Sequence, residues 1–188
     1  CDTIRFLYDD PDTVYAKVQQ LEKWPHKRGD EVVLDDREDT WAATITFKNG
    51  LVAVWSWTMA APGYSYTNVV HYGSKGCILD HGDAFHGPFG NAEIITQEGV
   101  KRSIVPMSEM QRKFLAQLAP ARKDALFPYG FTDGVVIECY DFLDAIEKGR
   151  KPEVDGETGM KAKAICEAIF ESAYAGQAVR YDDVLSGR

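Results

Sequence analysis

These 188 residues contain no C-x-x-C pair, no glycine-rich phosphate loop and no long apolar run. Each absence removes a class of function. Without a G-x-G-x-x-G or P-loop set between a strand and a helix, no dinucleotide or triphosphate cradle is legible. Gly73-Ser74-Lys75-Gly76 joins two strand patterns, so it reads as a turn, not as a loop aiming a helix N-terminus at phosphate. No apolar stretch approaches the roughly 20 residues that span a bilayer. A net charge of -8 with no clustered basic face excludes nucleic acid as a partner. No signal-peptide pattern is expected, and the four scattered cysteines Cys1, Cys77, Cys139 and Cys166 read as buried thiols of a cytoplasmic protein.

What is present reads as one globular domain over residues 1–188. Asp2 to Leu7 reads as the tail of a helix that starts upstream, stopped by Asp9-Asp10-Pro11. A strand is expected over Thr13 to Leu21, then a charged loop over Glu22 to Asp39 with a short strand at Val32 to Leu34. Asn49-Gly50 predicts a hairpin with a type I′ turn. Before it Trp41, Ala43, Ile45 and Phe47 fall on one face of their strand, and after it Leu51, Ala53, Trp55, Trp57 and Met59 fall on one face of theirs. Val52 and Val54 make the opposite face partly apolar, so both sides of this sheet are expected to be covered.

Further strands are expected over Tyr64 to Tyr72 and Cys77 to Asp80, and a second hairpin around Glu98-Gly99. The period then turns helical. One helix is expected from a Ser108 cap to about Leu118. A second runs from Thr132 to Lys148 and buries Val135, Cys139, Phe142, Leu143 and Ile146. A third, capped by Asp155, carries Met160, Ala164, Ile165, Ala168 and Ile169 to Gly176, before an extended Val179 to Val184. Strands followed by helices predict an α+β fold: an open, mostly antiparallel sheet with helices packed on one face.

Chemistry is sparse. His71, Asp80, His81, Asp83 and His86 lie mostly in a glycine-rich stretch without zinc-ligand spacing, so no metal site is expected. Asp35-Asp36, Glu38-Asp39 and Asp182-Asp183 read as solvated carboxylates, and no nucleophile elbow occurs.

Several segments together resemble the C-terminal domain of the Gfo/Idh/MocA oxidoreductases, the relatives of glucose–fructose oxidoreductase and inositol dehydrogenase. Cys1 to Leu7 resembles the end of a His-x-x-Asp-x-x-Arg-x-Leu helix, and Asp12 to Ala16 the strand after it. Glu38-Asp39-Thr40 through Asn49-Gly50 to Trp57 is similar to the family's E-D-T…F-x-N-G hairpin, and Tyr72 to Gly76 to its Y-G-x-x-G turn. Phe142 to Ile146, Pro152 to Gly156 and Ile165 to Ser172 match its later helices. The likeness runs nearly end to end.

The resemblance implies the substrate-binding and oligomerisation domain of an NAD- or NADP-dependent dehydrogenase acting on a sugar, inositol or related polyol. It implies a homodimer or tetramer formed through the sheet face, a missing Rossmann domain, and no activity in the isolated fragment. The family's catalytic histidine would lie upstream of Cys1, so no catalytic or cofactor-binding residue is expected here. Asp2, Tyr64, Tyr66 and Phe131 carry over as substrate-binding residues. The competing readings are a non-enzymatic dimerising or small-ligand-binding α+β module, and a metal-dependent hydrolase using His71, His81 and His86.

Overall fold

The computed structural model describes residues 2–60, 69–80, 92–98 and 100–188, the side chain of Asp2 excepted. In chain order the elements begin with α1 (Asp2–Tyr8), β1 (Pro11–Gln19), β2 (Pro25–Arg28), β3 (Glu31–Leu34), β4 (Thr40–Phe47) and β5 (Val52–Thr58). They continue with β6 (Val69–Gly73), β7 (Gly76–Asp80), β8 (Ala92–Glu98) and β9 (Lys101–Pro106). Then come α2 (Met107–Gln117), α3 (Pro120–Leu126), α4 (Gly134–Lys148), α5 (Gly156–Ala175), β10 (Val179–Arg180) and α6 (Tyr181–Ser186). The fold is α+β, and every described strand pair is antiparallel. The chain forms two compact units, residues 1–63 with 154–188, and residues 64–153.

The first unit is built on a sheet of order β10-β1-β4-β5. Strand alternation places Val14, Ala16, Ala43, Ile45 and Phe47 on one buried face. Helix α5 covers it with Ala164, Ile165, Ala168, Ile169 and Ser172, the stripe that a 3.6-residue period produces. Burying each large aliphatic of this set is worth about 1.5–3 kcal/mol. Asp155 caps α5 by accepting the N–H of Thr158 at 3.0 Å. Tyr181 opens α6 fully buried, and its hydroxyl donates to the Lys161 carbonyl at 2.8 Å, which ties the C-terminal helix to α5. Residues 179–184, read as one extended piece, are thus a two-residue strand followed by a helix.

Within this unit and among the described residues, no helix covers the opposite face of the sheet. Its register rows are Thr13–Thr46–Val52, Tyr15–Thr44–Val54 and Lys17–Ala42–Ser56. Val54 is 78% exposed, and Lys17 is the one charged side chain in these three rows.

Two local expectations change here. The β4–β5 connection is not a two-residue type I′ turn. The Gly50 N–H bonds the Phe47 carbonyl, and the Phe47 N–H bonds the Leu51 carbonyl, so the loop is Lys48-Asn49-Gly50. Only Gly50 takes a left-handed φ, +86°, while Asn49 stays at negative φ and its Oδ1 accepts the Leu51 N–H. This is the three-residue hairpin that ends in a glycine bulge. The second change lies at Pro25 to Leu34, where a complete hairpin, β2–β3, replaces most of the expected loop. Proline is tolerated there because it is the first residue of its strand.

The second unit holds a β6-β7-β8-β9 meander. Gly76 is required at the β6–β7 turn: its φ is +154°, and an added Cβ would sit 2.1 Å from the Ile95 carbonyl oxygen on β8. Helix α2 packs on β8 and β9. It starts at Met107 after Pro106, without a side-chain cap, so Ser108 lies inside the helix and does not cap it. Helix α3, which the sequence pattern did not reveal, begins at Pro120, where a missing N–H costs nothing.

In α4 the expected core stripe is not buried. Ala145 is the one buried residue, while Val135, Phe142, Leu143 and Ile146 are exposed. The helix is fixed at its ends instead. Asp133 accepts the N–H groups of Val135 and Val136, Gly149 closes the C-terminus, and Arg150 bridges Asp141 and Asp144. The Glu153 N–H bonds Asp141 at 2.6 Å, so this carboxyl is held below its usual range first by that N–H and then by Arg150.

Candidate functional site

Asp2 is the first residue of α1, and the helix that carries it is held firmly at its other end. Arg5 donates from Nε to Asp10 at 2.7 Å and from Nη1 to the Thr158 carbonyl at 3.3 Å. The chain leaves α1 through Asp9, whose left-handed φ of +72° is rare for a non-glycine residue. Tyr8 lies edge-on to Phe47 with ring centroids 5.8 Å apart, and burial raises its phenol above the ordinary value. A cleft of about 370 Å³, lined by Tyr8, Asp9, Asp10, Lys48 and Asn49, opens beside this helix end.

The second framing element is Asp39, at the entrance to β4. Read from sequence as half of a solvated carboxylate pair, it is in fact buried. Its carboxylate accepts the Leu21 N–H at 3.0 Å, the Glu22 N–H at 2.8 Å and the Thr40 hydroxyl at 2.9 Å. Those donors, Leu21 foremost, hold its carboxyl below the ordinary value. Its backbone carbonyl accepts the Met59 N–H at 2.8 Å. Asp39 therefore fixes the ends of β1, β4 and β5 together, where β5 leads toward Tyr64 and Tyr66. Those two tyrosines lie outside the described residues. Neighbouring Glu38 accepts from the Tyr174 hydroxyl at 2.5 Å, which raises the phenol and lowers the carboxyl.

Above this junction stand three indoles. Trp41 and Trp57 are directly opposed across β4 and β5, and their rings stack at 4.3 Å and 26°. Trp55 meets Trp41 edge-on at 5.6 Å and 89°. The Trp41 Nε1 is buried and has no hydrogen-bond partner among the described residues. Alternation in the sequence places Trp55 and Trp57 on one face of β5, but it is the three-residue loop and its register that bring Trp41 to the same face.

Phe131 belongs to the second unit. It follows a 3₁₀ turn over Pro128–Gly130 and lies 6.2 Å from the ring of Tyr129, which in turn meets Tyr140 edge-on at 5.6 Å. Burial, then Tyr129, raises the Tyr140 phenol. Tyr129 and Tyr140 escaped the sequence reading because one sits in an irregular turn at φ +55° and the other on a helix. Asp2 and Phe131 thus stand in different units, each framed by its own neighbours.

His71 lies on β6 and Asp80 on β7, while His81, Asp83 and His86 fall outside the described residues. Among the described residues no group of three or more histidine, cysteine or acidic side chains is placed to hold a metal ion. Every described strand pair is antiparallel, so among the described residues there is no pair of parallel strands, the arrangement at whose carboxyl ends dinucleotides bind in doubly wound folds.

No curated protein matches the chain. Among solved structures, levoglucosan dehydrogenase without ligand is similar at 21% identity, over 95% of this chain and 48% of that one, with a TM-score of 0.66. The same enzyme in complex with NADH and levoglucosan is similar at 22% identity, over 96% and 47%, with a TM-score of 0.64. An oxidoreductase from Agrobacterium radiobacter, in complex with NAD+, L-tartaric acid and magnesium, is similar at 16%, over 96% and 46%, at 0.59. Identities this low show a shared fold, and the chain spans about half the length of these structures. The sequence matches an oxidoreductase family's C-terminal alpha/beta domain over residues 1–181. The chain belongs to the Gfo/Idh/MocA oxidoreductases, as their C-terminal domain.

Proposed function

We propose that this chain is the substrate-binding and oligomerisation half of an NAD- or NADP-dependent dehydrogenase acting on a sugar, inositol or related cyclic polyol. The observation that carries the reading is a family match spanning nearly the whole chain, in a fold that covers only half of its structural relatives. A levoglucosan dehydrogenase among those relatives is described with NADH and levoglucosan, which supports this substrate class. The nicotinamide cofactor is bound by a Rossmann half outside these residues, and the catalytic histidine precedes Cys1.

This chain's own work is to hold the substrate. Asp2 is assigned to substrate binding, as an acceptor for a substrate hydroxyl, and Tyr64, Tyr66 and Phe131 are assigned to substrate binding with it, each from the family resemblance. The open sheet face of Thr13, Tyr15, Val52 and Val54 meets a second copy, because a nearly uncharged patch of this kind is an association surface. Among the described residues no helix is long and apolar enough to cross a membrane.

Calorimetric titration of the 188-residue chain tests the division of labour. NAD and NADP should give no dissociation constant below about 100 μM, roughly -5.5 kcal/mol. Binding tighter than that, or cofactor reduction by the chain alone, would overturn the reading.

A further inference from the structure

The β2–β3 hairpin is held firmly at its root and buries little beyond it. Asp39 accepts the Leu21 and Glu22 N–H groups where the chain enters the hairpin. Where the chain leaves, the Gln20 side-chain amide donates to the Asp35 carbonyl at 2.6 Å, and Arg37 Nε donates to the Asp35 carboxylate at 2.8 Å. Past that root every residue of both strands is exposed except the half-buried Val33. Val32 is 66% and Leu34 56% exposed. A two-stranded hairpin alone is at best marginally stable in water, so a partner would stabilise this one.

The two edges of the hairpin differ. The Asp35 N–H donates to the Trp24 carbonyl at 2.8 Å, and the register pairs Pro25 with Leu34, His26 with Val33 and Lys27 with Val32. Bonded and non-bonded pairs alternate along an antiparallel ladder. Trp24–Asp35 and His26–Val33 are therefore the bonded pairs, and the backbone groups of the other two pairs point outward. On β2 that outward set is broken, because Pro25 has no N–H, and Lys27 adds a charge. Proline and lysine are the residues that guard sheet edges. On β3 the set is whole: Val32 and Leu34 each present an N–H and a C=O, and neither is charged. Among the described residues no strand pairs with that edge.

A second β3 completes it. An antiparallel pair centred on Val33 sets Val32 opposite Leu34 of the second copy, and Leu34 opposite its Val32. All of these residues have outward groups, so the contact forms four N–H···O=C bonds and leaves none of those groups over. A shift of one residue would set outward groups against inward ones. The same register gathers Val32 and Leu34 of both copies on one face, since directly opposed residues share a face. An identical edge is its own complement under twofold symmetry. In the resulting order β2-β3-β3-β2 the cations Lys27 and Arg28 lie on the outer strands, roughly 14 Å apart across the sheet. The one like-charge pair would be Glu31 with Asp35 of the second copy, and Arg37 already offsets Asp35.

We infer that the β2–β3 hairpin is an arm that joins a second copy of this chain, edge to edge through β3. The assignment rests on the reading of the chain as an oligomerisation domain and adds a contact separate from the sheet face.

Amide exchange of the ¹⁵N-labelled 188-residue chain tests this without a variant. As concentration rises through the range where sedimentation shows association, the Val32 and Leu34 amides should gain at least about tenfold protection. The Lys27 amide, outward on the other edge, should gain none. Val33→Cys adds a covalent reading. Its two introduced thiols would meet in a non-hydrogen-bonded pair with Cα atoms about 4.5 Å apart, within disulfide range. Mild oxidation should cross-link this variant at least about tenfold faster than Lys27→Cys, although position 27 is the more exposed. Peptide mass identifies the bond, and the wild-type chain sets the background from its own thiols. Val54→Lys should leave the cross-link intact, because it acts on the sheet face. An oligomer whose Val32 and Leu34 amides stay unprotected, or equal cross-linking at positions 27 and 33, would sink the arm and leave the oligomer reading standing. Protection independent of concentration would assign the edge to another part of this chain. Protection seen only in the two-domain enzyme would assign it to the nucleotide-binding half, and either result overturns the proposal. A chain that stays monomeric and uncrosslinked up to about 1 mM would end both the arm and the oligomer reading.

Discussion

The hydroxyl of Ser172 on α5 accepts the N–H of Ala16 on β1 at 2.9 Å, in the place where a strand partner would otherwise stand. Strand β10 pairs Arg180 with Thr13 and Val179 with Val14, and the same register would set Gln177 opposite Ala16. Ser172 fills that gap by donating to the Gln177 carbonyl at 2.6 Å. A helix side chain thus completes the ladder and seals the edge of the central strand, which would otherwise expose a buried N–H.

Ser172→Ala removes one partner and leaves the other buried. The expected loss is about 1–3 kcal/mol, the cost of an unsatisfied buried group. Urea denaturation of the chain measures it. An unchanged midpoint would mean that water or a shifted backbone replaces the hydroxyl.

Asp39 makes stability depend on acid. Its folded pKa lies below the usual value, so its contribution is fully present above the unfolded pKa and is lost as pH falls through the folded one. Thermal melts should therefore show a stability decline below about pH 4 that Asp39→Asn flattens. At neutral pH the variant should melt lower than wild type, because an amide cannot accept from Leu21, Glu22 and Thr40 through two charged oxygens. Identical acid limbs in the two proteins would count against this role.

Gly76→Ala should be far worse than an ordinary glycine substitution. The new methyl meets backbone, the Ile95 carbonyl, not a side chain that can swing away. The cost should exceed the roughly 0.5–1 kcal/mol separating the two residues in ordinary backbone. Loss of amide-exchange protection on β7 and β8, with β1 and β4 unaffected, is the expected pattern.

The open sheet face predicts self-association. Val54→Lys places a charge beside Tyr15 and Thr44 without touching the core on the other side. Sedimentation should show an oligomer for wild type and a shift toward monomer for the variant. A wild-type monomer at micromolar concentration would remove this interface.

How far the sequence carried the structure depends on where the information is stored. The α5 stripe was legible because Ala164, Ile165, Ala168 and Ile169 repeat at helical period, and Asp155 and Gly176 mark its ends. The faces of β4 and β5 followed from alternation around Asn49-Gly50. The turn type did not, because Asn-Gly suits both a two-residue and a three-residue loop, and the register decides. Asp39 was misread because its partners, Leu21 and Glu22, are 18 and 17 residues away. The α4 stripe has the pattern of a buried face, yet periodicity reports amphipathicity and not what lies against it. For the candidate site, Asp2 and Phe131 came from resemblance to a family, while the Trp41–Trp57 stack and the Tyr129–Phe131–Tyr140 cluster needed three dimensions.

The central claim is that this chain holds a polyol for a reaction completed by a nucleotide-binding half. Its most direct test is steady-state kinetics of the two-domain enzyme with Asp2→Ala and Asp2→Asn, following polyol-dependent reduction of NAD or NADP. Removing an orienting acceptor should raise KM and lower kcat, each by about tenfold or more for Ala and by less for Asn. Unchanged kcat and KM in Asp2→Ala on a cyclic polyol that the wild type oxidises would contradict the account.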